Sequence, residues 1–251
     1  MGKGSEGLHA WAFKTETFQK MFGGEAGSRD KDNEFAARGF QNIGAWILGR
    51  NMFAHSRGDW TEDNWTGWWG DNPPYHTDVF ILTHYPRAPI VMEGGTTFHF
   101  VTDGIHAALQ RATAAAKGLD VRLGGGVYTL RQYLQAQLID EMHIAISPIL
   151  MGDGENLFAN LNLVALGYHC VEHVPTSHAT HIVIQKKNLK INRIKNSPTN
   201  TIPCLFCPVK GAIRFTQQCI QRLSCISTSY PERRRDLLRQ TEIAFLNAIA
   251  Q

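Results

Sequence analysis

The chain has 251 residues, 43% of them hydrophobic and 19% charged, with a formal charge of +3. That composition can bury a core and excludes a disordered chain. No apolar run approaches the ~18 residues that cross a bilayer, which excludes a helical membrane protein.

Residues 1–31 are polar and rich in glycine and charge, and MGKGSEGLHAW lacks the apolar core of a secretory leader. DNEFAARGFQ, residues 32–41, reads as a short helix with Phe35, Ala36 and Phe40 on one face. Ala45-Trp46-Ile47-Leu48 reads as a buried strand that ends at Gly49-Arg50, and a loop crowded with Trp, Gly and Pro fills 58–77. Val79–Thr83 is a second apolar strand; Ile90–Met92 and Thr97–Val101 are two more, separated by Gly94-Gly95. Thr102-Asp103 is placed to cap a helix over 104–117, with Ile105, Leu109, Ala112 and Ala116 at helical spacing and Gly118 ending it.

Val121-Arg122-Leu123 is a short strand that runs into three glycines, and the helix after it carries Leu130, Leu134 and Leu138. Met142–Ser147 alternates like a strand, a Gly-rich loop surrounds Asp153, and His181–Gln185 closes the series. Strands alternating with helices predict an α/β fold with helices on the faces of a sheet.

Composition changes at residue 188. Residues 188–251 hold ten Lys/Arg against three Asp/Glu, while residues 1–187 hold fifteen against nineteen. All eleven His and all six Trp precede the boundary, and four of the five Cys follow it. The reading is a domain over 1–187 followed by a basic, Cys-containing segment over 188–251 of no predicted fold. With Cys170 alone in the first part, no disulfide framework is expected and a cytoplasmic setting follows. Cys204, Cys207, Cys219 and Cys225 are too loosely spaced for a firm zinc knuckle. PERRRDLLRQTEIAFLNAIAQ reads as an amphipathic helix whose arginines mark a solvated start rather than a nucleic-acid contact.

The chemistry concentrates at strand ends. Leu123-Gly124-Gly125-Gly126-Val127 lies where a strand hands over to a helix, and glycines there let backbone N–H groups approach a phosphate at the positive end of the helix dipole. A tight turn that simply needs glycine is the alternative. The pattern is neither the Rossmann fingerprint nor a P-loop: Thr129 stands where the third glycine would be, and no Gly-Lys-Ser/Thr follows. Gly49-Arg50-Asn51 offers a guanidinium for a phosphate ester such as the 2′-phosphate of NADPH. Thr83-His84, with Arg87 close behind, ends another strand. Ligands of open α/β sheets sit beyond the carboxyl ends of strands, so the three segments converge on one edge.

The order GRNMF, VFILTHYPR, VRLGGGVYTLRQYL and LIDEMHIAISPILMGDGENLF resembles the dihydrofolate-reductase-like superfamily. Within it, the chain is similar to the C-terminal reductase domain of the bifunctional riboflavin-biosynthesis deaminase-reductase, from about Gly7 to Lys186. The resemblance implies a central, mostly parallel sheet flanked by helices and an NADPH-dependent reductase of a small heterocycle, working as a homodimer. It carries cofactor binding onto Gly49, Arg50, Asn51 and Thr83, and onto Gly125, Gly126, Val127, Tyr128, Thr129 and Leu130; His84, beside Thr83 at its strand end, is a cofactor-binding candidate by position. Gly124 is placed by it at the junction of nicotinamide and substrate. A non-catalytic dinucleotide-binding or structural relative would share these residues. The family opens with a strand ending in a Ser-Leu-Asp-Gly-like segment; this sequence starts after that point, so the sheet is expected to lack its first strand.

Two acids, Asp32 and Glu34, are candidate proton donors, against the alternative of a solvated helix face. Asp140-Glu141 reads as a structural turn with surface charge. Trp60, Trp65, Trp68 and Trp69 suit either a lid over a flat ring or simple packing of their loop. The eleven His show no metal-ligand spacing, and no metal is expected.

Overall fold

The computed structural model describes residues 5–60, 64–151, 154–187 and 213–219. A 3-10 turn over Ser5–His9 leads into α1 (Ala10–Phe13), α2 (Glu16–Met21) and α3 (Lys31–Arg38). Side-chain caps start the last two: Thr15 accepts from the Phe18 N–H and Asp30 from the Asn33 N–H. Then follow β1 (Ile43–Gly49), α4 (Arg50–Phe53), β2 (Asp78–Leu82), β3 (Ile90–Val91) and β4 (Thr97–Val101). The chain continues through α5 (Gly104–Ala115), β5 (Asp120–Leu123), α6 (Val127–Gln135) and β6 (Glu141–Ile146). Strands β7 (Tyr168–Pro175), β8 (Thr180–Lys186) and β9 (Ile213–Cys219) complete it.

Among the described residues, the nine strands form one sheet in the order β3-β4-β2-β1-β5-β9-β6-β8-β7. Strands β4, β2, β1, β5, β9 and β6 run parallel; β3 pairs antiparallel at one edge and β8 and β7 at the other. This is the mostly parallel sheet with flanking helices that the sequence leads one to expect. Strand β9, between β5 and β6, comes from the C-terminal segment.

Alternation along each strand builds two layers. Ala45 and Ile47 face the α5–α6 side, where they pack with Ala108, Ala112, Leu130 and Leu134. Trp46 and Leu48 face the other side and pack with Phe53, Val79, Ile81 and Phe98 under the tryptophan loop. Over the β6–β8 half, Trp11 of α1 and Ala36 of α3 cover Ala145. Both faces of β6 are therefore buried: Met142 and Ile144 join the first core while His143 and Ser147 are buried beneath the N-terminal helices.

Two local expectations change. Asp103 stands at the N-cap of α5 but makes no capping bond; its carboxylate pairs with Arg111 at 2.5 Å. Leu138 lies beyond the end of α6, its N–H donating to the Tyr133 carbonyl. Cys204, Cys207, Cys225, Arg233–Arg235 and the helix expected over 231–251 lie outside the described residues.

Candidate functional site

Two of the segments singled out by sequence meet directly. The Gly49 N–H at the end of β1 donates to the Gly125 carbonyl at 2.8 Å. A side chain on Gly49 would bring its Cβ to 2.5 Å from Thr129 Oγ1, and one on Gly124 would lie 2.3 Å from Leu48 Cδ2. Glycine is needed at both because β1 and the turn after β5 press together there. The Gly125–Gly126 peptide of that turn is cis.

Beyond the carboxyl ends of β1, β2, β4 and β5 lies a cleft of about 330 Å³. One wall is Gly49, Arg50 and Asn51; a second is Leu82, Thr83, His84 and Tyr85; a third is Gly126, Tyr128, Thr129 and Gln132. Thr102, Gly104 and Ile105 close it from β4, and Arg57 and Gly58 from the loop after α4. The first turns of α5 and α6 both face the cleft, and neither has a side chain bonded over its N-cap. Their free N–H groups give the space a positive bias. Two arginines add to it, and among the described residues no acid lines the cleft.

Arg50 is the most informative side chain. One nitrogen, Nη1, donates to the Gly58 carbonyl, and the guanidinium stacks 3.9 Å from the centre of the Trp60 ring. Its Nε and Nη2 are buried and have no hydrogen-bond partner among the described residues. Burial pulls its pKa below the usual arginine value. Buried donors without acceptors are costly, and the side chain that carries them lines a cleft suited to an anion.

Eight of the sequence candidates line the cleft: Gly49, Arg50, Asn51, Thr83, His84, Gly126, Tyr128 and Thr129. Gly124, Gly125 and Val127 stand behind it. Leu130 does not line it: it is fully buried in the core and its N–H donates to the Gly126 carbonyl. Arg57, Tyr85, Thr102, Gly104, Ile105 and Gln132 were not singled out. The strand-to-helix handover at Thr102–Gly104 repeats the pattern of the glycine turn and was the available signal.

The tryptophan loop is packing rather than a lid. The Trp60, Trp65 and Trp69 indole N–H groups donate to Tyr85 O at 3.0 Å, Phe53 O at 2.7 Å and Tyr75 Oη at 3.0 Å. Trp60 nevertheless serves the cleft by supporting Arg50.

The two candidate acids separate. Glu34 is exposed and pairs with Lys31 at 2.7 Å. Asp32 is buried, 2% exposed, against the expectation of a solvated face. Its carboxylate lies 2.7 Å from His181 Nε2, 3.1 Å from His178 Nδ1 and 2.7 Å from Thr176 Oγ1. Since Asp32 accepts, His181 carries its proton on Nε2, and its Nδ1 accepts from His143 Nε2 at 2.9 Å. Burial holds His143 down to about 3, with His181 adding to the effect, and lowers His181 despite the bond to Asp32. Neither acid lines the cleft.

With that geometry in place, the comparison with known families decides the kinship: the model for the RibD C-terminal domain matches residues 11–182. The chain belongs to this family. It is thereby a relative of the C-terminal reductase domain of the riboflavin-biosynthesis deaminase-reductase, within the dihydrofolate-reductase-like superfamily. Membership implies a reductase of the riboflavin-pathway kind. No individual curated protein matches the chain. The RibD-type match spans β1 through β7 and the start of β8, so every residue that lines the cleft falls within it. No helix among the described residues is long and apolar enough to cross a membrane.

Proposed function

We propose that this protein is an NADPH-dependent reductase of a small heterocycle, a pyrimidine or pteridine-like ring of the 5-amino-6-(5-phosphoribosylamino)uracil or dihydrofolate type. The observation that carries the reading is Arg50: its side chain lines the cleft, and two of its buried guanidinium nitrogens have no hydrogen-bond partner among the described residues. That donor set fits a phosphate ester, and the first turns of α5 and α6 fit the other phosphates of a dinucleotide. NADPH, when bound, supplies the hydride. Arg50 and Arg57 would hold the charged end, Thr83 and Thr129 would offer hydroxyls, and Gly49 and Gly126 keep the backbone close. Gly124 would stand at the substrate end, beyond the turn.

At a hundred times its Kd, NADPH adds about 2.7 kcal/mol of stability. In a chain of this size that raises Tm by roughly 5–10 °C. NADH should give a smaller rise. Arg50→Met should weaken NADPH at least tenfold, in line with loss of a charge-assisted pair worth about 1.5–3 kcal/mol, and leave NADH nearly unchanged. No Tm response to millimolar NADPH in the unaltered chain overturns the cofactor reading. Single-turnover oxidation of NADPH with candidate pyrimidines and pteridines then separates a working reductase from a dinucleotide-binding relative without turnover.

A further inference from the structure

We propose that Ile213–Cys219 is a keystone strand of the reductase domain, by which the C-terminal segment joins the two halves of the sheet and supports the strand that carries the glycine turn. Strand β9 pairs on both sides: residues 213–215 with Val121–Leu123 of β5, and residues 214–219 with Glu141–Ile146 of β6. Among the described residues no ladder joins β5 to β6 directly. Remove β9 and two strand edges inside the sheet lose their hydrogen-bond partners.

The start of the strand is fixed by one residue. The Asp140 N–H donates to the Ile213 carbonyl at 3.0 Å, and the Ile213 N–H donates to Asp140 Oδ2 at 2.9 Å. A slip of one residue would undo both bonds. Asp140 also accepts from the Lys186 N–H at 2.9 Å. Lys186 at the end of β8 and Ile213 at the start of β9 thus bond to the same residue. What reads in the sequence as a charged turn is the clamp for the strand.

Arg214 then meets a buried carboxylate. Its Nε lies 3.0 Å from Asp120 Oδ2 and 3.9 Å from Glu141 Oε1. The contact is a pairing of charges rather than an aligned hydrogen bond. Asp120 is fully buried at the start of β5, and a carboxylate at that depth needs a countercharge. Ile213 is buried opposite Val121. Past the pair Leu123–Phe215, β9 runs on beside β6 to the edge where ligands of parallel sheets bind. Dependence of NADPH binding on β9 rests on the cofactor reading; the strand itself does not.

Hydrogen exchange on the full chain without ligand tests the strand. Amides of 214–219 should exchange on the order of a thousandfold more slowly than in an unstructured peptide, as in β5 and β6, because they open only with the domain. Fast exchange there beside protected β1 and β2 overturns the proposal. Asp140→Ala and Arg214→Met in the full chain should each lower Tm and speed exchange in β5, β6 and β9 more than in β2 and β4. Unchanged Tm and exchange in both variants also overturn it. Protected β9 amides in a chain whose Tm ignores NADPH support the strand and remove only the cofactor reading.

Discussion

At Gly49 a single absent methyl group decides whether the cleft has its shape. A Cβ there would sit 2.5 Å from Thr129 Oγ1, an atom on the first turn of α6 with little room to retreat. Gly49→Ala should cost about 1–3 kcal/mol through overpacking and weaken NADPH by displacing that turn. Adding Thr129→Ala removes the obstructing atom and should recover part of the stability, a coupling that a double-mutant cycle in urea measures. Additive losses would place the strain elsewhere. Gly49 and Arg50 were legible in the sequence because a glycine at a strand end followed by a cation limits the chemistry strongly. Asp32 was not. An acid in the first turn of a short polar helix looks solvated, and the three groups that bury it lie 144 to 149 residues away.

That distant contact defines α3 as an element. Alone it is eight residues long, too short to persist in water. Its Asp32 locks onto the turn between β7 and β8, while the Phe35 ring stacks 4.2 Å from His181 and 4.9 Å from His143. Asp32→Ala leaves the buried His181 imidazole without its acceptor and should cost about 3 kcal/mol. Glu34→Ala, on the exposed side, should stay within about 0.5 kcal/mol. Chemical denaturation of the two variants compares them directly. If Asp32→Asn keeps the fold and NADPH affinity but stops turnover, the structural role assigned to Asp32 gives way to a catalytic one. Strands β1, β2, β4 and β5 and helices α5 and α6 were readable from periodicity because each carries its own apolar face. Strand β7 was not, since an edge strand with little buried surface shows no period.

For the molecule as a whole, the C-terminal segment was the least legible part. A shift in charge and residue type at 188 marks a change of character, yet a strand's place in a parallel sheet is set by partners far along the chain. Nothing within 213–219 names β5 or β6 as those partners; Asp140 and Asp120 do, and only in three dimensions. The buried histidines bind the other half of the sheet to its N-terminal cover and give the fold a pH dependence. Burial lowers His9 to about 4 and His143 to about 3, and lowers His181 as well. Unfolded, each returns to an ordinary histidine value near 6.5. The unfolded chain therefore binds more protons between those limits, and stability rises with pH across them. The contribution is complete above about pH 6.5. It declines as pH falls toward 4 for His9 and 3 for His143, at up to about 1.4 kcal/mol per pH unit per histidine. Urea midpoints should thus drop clearly between pH 7 and pH 5, where ordinary carboxylates still hold their charge. His143→Gln should be less stable at pH 7 and shallower in slope. Equal midpoints at the two pH values in the unaltered chain would mean that these imidazoles reach water, and that the N-terminal helices do not close over β6 and β8.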